Sequence, residues 1–226
     1  MPGRLIPIVT DQIYHVFNRG IDRRPTFIGK LELNRAIDIL DFYRFANLPT
    51  CLSKYLKLPN EERENIFKEL KEKNKKLIEI YSYCLMPNHF HFLMKQLQDN
   101  GISKFMSNFQ NSYTRYFNVK KKRDGPLFLD QFKAVRIETD EQFLHVSRYI
   151  HLNPLTSYVI KDFKDLIEYP WSSLSEYQNN NLLICETSTI LDFLGKRNQQ
   201  KKYLDFIRDQ VNYQREFHKI GHLILE

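Results

Sequence analysis

Residues 83–94 read YCLMPNHFHFLM. Two apolar runs, 78–85 and 90–94, flank the tripeptide Met86-Pro87-Asn88, the pattern of two antiparallel strands joined by a tight turn. Side chains alternate along a strand, so His89 and His91 share one face while Phe90 and Phe92 share the other. The phenylalanines then point to a helix-covered core, and the imidazoles lie on an otherwise uncluttered sheet face. Neutral imidazole is the commonest metal ligand, so the pair is a candidate clamp for one ion. Two surface histidines on a half-exposed strand account for the same pattern without a metal. No Cys/His cluster has structural-zinc spacing. A metal held here would therefore sit in an open site, with positions left for water or a phosphate oxygen.

Working outward, residues 12–18 alternate as a strand closed by the turn signal Asn18-Arg19-Gly20. Residues 31–46 have apolar positions at helical spacing, and so do 102–117. Residues 60–76 are mostly charged, with Asn60 a plausible N-cap, and read as a solvated helix. Residues 127–137 read as a strand or extended segment. Thr139 or Asp140 caps a helix from about 141 to 152, which Asn153-Pro154 should end because the residue before proline avoids α geometry. Segments ILDFLGK and YLDFIRDQV carry helical periodicity in the tail. Strands interleaved with helices around one hairpin give an α+β class. The nearest arrangement is a ferredoxin-like antiparallel sheet with helices on one face, plus a helical C-terminal extension. The expected division is a domain over 1–178 with a charged helical insertion at about 47–76, then an extension over 179–226.

The chain has 226 residues, a net charge of +7, 42% hydrophobic and 14% aromatic residues. That suffices for a real core and excludes a disordered tail. No apolar run reaches the roughly 18 residues of a spanning helix, and no secretory h-region opens the sequence. The cysteines Cys51, Cys84 and Cys185 lack CxxC spacing, as expected of reduced thiols in a cytoplasmic protein. The basic balance points weakly to a polyanionic partner.

The segment RYIHLNPL, residues 148–155, offers further site residues. Tyr149 and Asn153 are i and i+4, stacked on one helix face. They can present a phenol nucleophile and an amide oxygen ligand in one direction. A core tyrosine and a helix-terminal asparagine are the plainer alternatives.

Five blocks then occur in order: YHVFNRG (14–20), YCLMPNHFHFLM (83–94), SYTRYFN (112–118), RYIHLNP (148–154) and YPWSS (169–173). Together they resemble the REP-associated tyrosine transposases, a branch of the single-tyrosine HUH transposases, where HUH denotes His-hydrophobic-His. The resemblance implies a ferredoxin-like HUH nuclease domain acting on single-stranded DNA with short palindromic hairpins, as a monomer or homodimer. It implies His89, His91 and Asn153 as ligands of Mg²⁺ or Mn²⁺, and Tyr149 as the nucleophile that forms a 5′-phosphotyrosine and frees a 3′-hydroxyl. Residues 47–76 look longer and more charged than the family usually has there, and nothing beyond 178 matches it.

Lys120, Lys121, Lys122 and Arg123 form a basic run that suits phosphate contact or a solvated turn. Arg19, Arg23 and Arg24 are weaker DNA-binding candidates. Arg148, Lys133 and Arg136 are possible helpers in ionising a phenol, whose ordinary pKa is near 10. Tyr113 and Tyr116 compete as nucleophiles, but their spacing with Phe109 and Phe117 suits core packing. The alternative function is a non-catalytic single-strand-binding module that stacks bases on the sheet. A hydrolase of small phosphoesters needs acidic ligands that MPNHFHFLMK lacks.

Overall fold

A computed structural model of the chain describes residues 7–179 and 184–209. Strand β1 (Ile13–Arg19) leads to helix α1 (Lys30–Tyr43), then the short α2 (Leu52–Tyr55) and α3 (Asn60–Lys73). The hairpin follows as β2 (Ile78–Met86) and β3 (His89–Gln96), then α4 (Gly101–Lys121), β4 (Lys133–Arg136) and α5 (Asp140–Thr156). Four short helices close the described chain: α6 (Phe163–Ile167), α7 (Leu174–Asn179), α8 (Ser188–Leu191) and α9 (Gln199–Arg208).

The four strands form one antiparallel sheet in the order β2-β3-β1-β4. Both β-α-β connections skip one strand, which is the ferredoxin-like arrangement expected from the sequence. Alternation decides what lies on each face. Val16, Phe90, Phe92 and Met94 turn toward α1 and α4 and are fully buried there with Phe105, Phe109 and Tyr113. Helix α4 starts so close to β2 that a Cβ on Gly101 would lie 2.3 Å from the Leu77 carbonyl oxygen, so no other residue fits.

The opposite face is not uncluttered, contrary to the expectation for the histidine side. Helix α5 lies over its β2 and β3 half, where Cys84, Met86 and Leu93 join Phe143, Ile150 and Leu152 in a second core. The β1 and β4 half of that face is more open: Val135 is 54% exposed. The YPWSS block runs beside the outer edge of β2. Ser172 bridges Cys84, the Leu85 N–H donates to the Trp171 carbonyl, and the Ser173 N–H donates to the Tyr83 carbonyl. Those contacts occupy an edge that would otherwise present unpaired backbone groups.

Other boundaries differ from the sequence reading. Proline 154 does not stop α5, which runs to Thr156. The bias before proline is a preference, and here residues 150–156 are buried, so packing outweighs it. Thr139 is the N-cap, accepting from the Gln142 N–H. Pro59, not Asn60, stands at the N-cap of α3. The basic run is not a loop throughout: Lys120 and Lys121 end α4, and Lys122 is its left-handed cap. Only Lys133–Arg136 of the 127–137 segment forms a strand, while Leu127 and Phe128 sink into the core, with one isolated antiparallel bridge from Phe128 to Gly20. In the tail, ILDFLGK takes in the end of α8 and the 3-10 turn Asp192–Leu194, and YLDFIRDQV takes in the second half of α9, with its last two residues outside the described ones.

Candidate active site

His89 and His91 sit on β3 on the same face, opposite Arg19 and Phe17 of β1. Their rings are 5.0 Å apart and perpendicular. Phe17 is half-buried beside His91, and the Lys133 ammonium lies 5.9 Å above its ring. On the other flank α5 delivers Tyr149, whose ring stands 5.6 Å from His91 and 5.9 Å from His15. Asn153 follows one helical turn later and is fully buried. Thus Tyr149 stands over the His89–His91 pair with Asn153 beside it on α5: spacing paired each two, and the resemblance implied that the pairs meet.

Burial raises the Tyr149 pKa, and the neighbouring Asn153 amide offsets this only in part, so the phenol is protonated at neutral pH. The Asn153 Nδ2 is buried and makes no hydrogen bond of good geometry, and the polar group it approaches is the Tyr149 hydroxyl. Its Oδ1 accepts from the Ser157 hydroxyl at 3.3 Å.

Two residues of this site were not legible in the sequence. His15 on β1 lies diagonally across from His91, its Nε2 2.9 Å from the His91 Nδ1. Burial lowers the His15 pKa to about 4, so its ring is neutral. Asn88, in the hairpin turn, holds the His89 Nδ1 at 2.6 Å through Oδ1 and donates from Nδ2 to the Arg23 carbonyl at 3.2 Å. The turn is gripped further by the 20–27 loop, whose Thr26 and Phe27 N–H groups donate to the Pro87 carbonyl. Alternation along YHVFNRG already put His15 on the face of Phe17, but only its pairing with β3 brings it to His91.

The remaining candidates scatter. Arg19 shares the histidine face, opposite His89. Arg24 is tied to Asp22 and to the Ile21 carbonyl, while Arg23 lends its carbonyl to Asn88. Lys120 and Lys121 both reach Glu32 of α1, at 3.2 and 3.3 Å, on the α1–α4 side of the sheet. Burial pushes the Glu32 pKa up, but its own backbone N–H and these ammoniums outweigh that and hold it below the usual range. Arg123 donates to Asn118 and to the Pro126 carbonyl. Lys122 lines a groove of about 610 Å³ along α4, with Arg115 and Arg123.

Of the three possible helpers, Arg148 turns away from Tyr149 and stacks on Phe206 of α9, 4.0 Å from its ring. Arg136 is engaged with Gln12 at the far end of the sheet. Lys133 alone of the three stands beside the histidine face. The competing tyrosines lie behind the sheet: the Tyr113 hydroxyl donates to the Thr26 carbonyl, and Tyr116 packs under Arg35.

His151 belongs to a different construction. Its Nδ1 meets the Tyr203 hydroxyl at 2.8 Å and its Nε2 the Ser173 hydroxyl at 2.7 Å, all fully buried. Ser173 Oγ also accepts from the Tyr83 N–H, so this Ser–His contact ties α9 and the YPWSS segment to α5 and makes no exposed nucleophile.

Among the described residues, no group of three or more His, Cys, Asp or Glu side chains is arranged around a metal position. The donor set here is two imidazoles and an amide, and it fits a divalent ion that keeps sites for phosphate oxygens. The ligating atom of that amide would be Oδ1, which accepts from Ser157, because the Nδ2 group is a donor and binds no cation. Among the described residues no helix is long and apolar enough to cross a membrane.

Residues 43–153 match the family described as transposase IS200 like. No curated protein matches the chain. The chain is also similar to a solved structure of a REP-associated tyrosine transposase bound to a REP hairpin. That match has 14% identity and a TM-score of 0.49, and covers 81% of this chain and 88% of the other.

Proposed function

We propose that this chain, which belongs to the IS200-like transposase family through residues 43–153, cuts and rejoins single-stranded DNA with Tyr149 as its nucleophile. The observation that carries the reading is the seating of the Tyr149 ring between α5 and the imidazoles of His91 and His15, one turn before a buried Asn153. A phenol held there attacks the scissile phosphorus in line. The Tyr149 O–P bond forms, the P–O3′ bond breaks, and the 3′-hydroxyl leaves with a proton. The product is a 5′-phosphotyrosine that keeps the bond energy, so a 3′-hydroxyl can reverse the step and join strands. No hydrolytic water is required.

Because burial keeps the Tyr149 phenol protonated, the proton must be lost as the bond forms. Of the three helper candidates Lys133 is the one on the histidine face, over the Phe17 ring, and it is the proposed cation for the developing phenolate. His89, His91 and Asn153 would hold Mg²⁺ or Mn²⁺, which when bound supplies positive charge against the scissile phosphate. The more open β1–β4 half of the histidine face, with Phe17, Arg19 and Lys133, suits a single strand: one ring to stack on and two cations for phosphates. A palindromic hairpin is the proposed substrate form. Lys122 and Arg123 are its proposed stem contacts, and Lys120 and Lys121 are the weaker half of that run because Glu32 draws on their charge.

The test is a labelled single strand carrying a palindrome, incubated with Mg²⁺ or Mn²⁺ and resolved on a denaturing gel. A covalent adduct that disappears in Tyr149→Phe supports the reading. Binding without any adduct, in wild type and variant alike, would make the chain a single-strand-binding module that uses Phe17 for stacking.

A further inference from the structure

We infer that His15 and Asn88 are positioning residues: they hold His91 and His89 in the Nδ1–H tautomer, so that both imidazoles turn Nε2 toward one divalent cation. The inference rests on the proposed reading of the histidine pair as a metal clamp.

The Asn88 side begins with the orientation of an amide. Its Nδ2 donates to the Arg23 carbonyl, which can only accept, so Oδ1 is the atom 2.6 Å from His89 Nδ1. An oxygen acceptor at that distance requires the proton on Nδ1, and the His89 lone pair then lies on Nε2. Arg23 can serve because the chain curls tightly here: a Cβ on Gly20 would lie 2.7 Å from the Arg24 carbonyl oxygen. Residue 20 is therefore confined to glycine, and the 20–24 turn stays under the hairpin.

The His15 side rests on ring geometry. The rings of His15 and His91 are 22° from parallel, with centroids 5.1 Å apart and facing nitrogens 2.9 Å apart. Nitrogen therefore faces nitrogen along the line between the rings. Two ligands of one ion would instead turn their lone pairs toward a shared point, so His15 is a partner of His91 and not a further ligand. One proton is shared across that contact. If His15 donates it, His91 carries its own proton on Nε2 and its lone pair faces His15, which leaves no nitrogen for a metal. If His91 donates, Nε2 carries the lone pair. Only the second assignment makes β3 a clamp, and it gives both histidines the same tautomer. Partners of this kind typically change metal affinity by about 10–100-fold.

The experiment reads tautomers in the metal-free protein by long-range proton–nitrogen NMR on ¹⁵N-histidine-labelled chain, and Mn²⁺ affinity by calorimetry. We expect Nδ1–H for both His89 and His91 in wild type. His15→Leu should move the His91 proton toward Nε2 and weaken Mn²⁺ binding by about 10–100-fold. His15→Gln, which offers a side-chain oxygen near the position of Nε2, should restore most of it. Asn88→Ala should act on His89 alone, and Asn88→Asp should retain affinity. An Nε2–H tautomer at His91 in wild type would overturn the inference without any variant needing to fold. So would Mn²⁺ affinity that His89→Ala and His91→Ala abolish but folded His15→Leu and Asn88→Ala leave unchanged. Nδ1–H tautomers in a wild type that binds no Mn²⁺ would leave the tautomers explained and sink the metal clamp instead.

Discussion

The Tyr149 ring stands edge-on to the imidazole of His91, centroids 5.6 Å apart and planes at 87°. Its packing comes from the ring and its proposed chemistry from the oxygen. Tyr149→Phe should therefore keep the fold and leave hairpin affinity within about twofold, while the covalent adduct falls below detection. The checks are a melting curve, a binding isotherm and the denaturing gel. Adduct formation at the wild-type rate would move the nucleophile elsewhere, although Tyr113 and Tyr116 lie on the far side of the sheet.

The basic run divides by its partners. Lys120 and Lys121 share the buried Glu32 carboxylate, whereas Lys122 and Arg123 border the α4 groove. Replacing Lys122 and Arg123 with Gln should flatten the log K against log salt slope of hairpin binding by roughly 0.7–0.9 per lost phosphate contact. Replacing Lys120 and Lys121 should flatten it less and lower the melting temperature more, because Glu32 is left buried without its cations. Fluorescence anisotropy over a salt series, with a melting curve for each variant, separates the two pairs. Slopes unchanged from wild type in both variants would return the whole run to a solvated helix end.

His151 makes stability depend on acid. Burial lowers its pKa from 6.5 to about 3, so between those values the unfolded chain binds a proton that the fold does not. Its contribution is complete above pH 6.5 and declines as pH falls toward 3, by up to roughly 1.4 kcal/mol per pH unit. His15, lowered to about 4, acts in the same direction over part of that window. His151→Gln should be less stable at pH 7.5, by about 1–3 kcal/mol, through its disrupted contacts with Ser173 and Tyr203. It should also lose stability less steeply between pH 6 and pH 4. Urea midpoints across pH decide it: parallel curves for wild type and variant would mean that His151 carries its proton in the fold.

The parts of the molecule legible in the sequence are those whose signal is local. Alternation around MPN spelled out the β2–β3 hairpin and its two faces, and helical spacing in 102–117 located α4. Tyr149 and Asn153 fell together because one helical turn suffices to align them. The parts that escaped depend on distant pairing. His15 meets His91 across 76 residues, and His151 meets Tyr203 across 52, so neither contact leaves a local pattern. The second core over β2 escaped for the same reason. The end of α5 was misread because a proline rule describes a short peptide, while Asn153 to Thr156 are held by burial. Around Phe128 the segment is extended with a single bridge to Gly20, and an apolar extended residue looks the same in sequence whether its pairing is one bridge or a full ladder.

Asn153 offers the sharpest separation of function from stability. Its side chain is fully buried, its Nδ2 approaches the Tyr149 hydroxyl without a hydrogen bond of good geometry, and its Oδ1 keeps one long contact to Ser157. Its polar contacts are few and weak, the long one to Ser157 and the approach to the Tyr149 hydroxyl, so an apolar side chain of similar volume gives up little. Asn153→Leu should therefore stay within about 1 kcal/mol of wild-type stability. Adduct formation should fall at least tenfold, and Mn²⁺ affinity should fall with it, because the variant lacks the proposed amide ligand. Asn153→Asp should recover metal binding, since it returns an oxygen to that position. A melting temperature several degrees lower, with Mn²⁺ affinity unchanged, would make Asn153 a structural residue of α5 and confine the metal reading to His89 and His91.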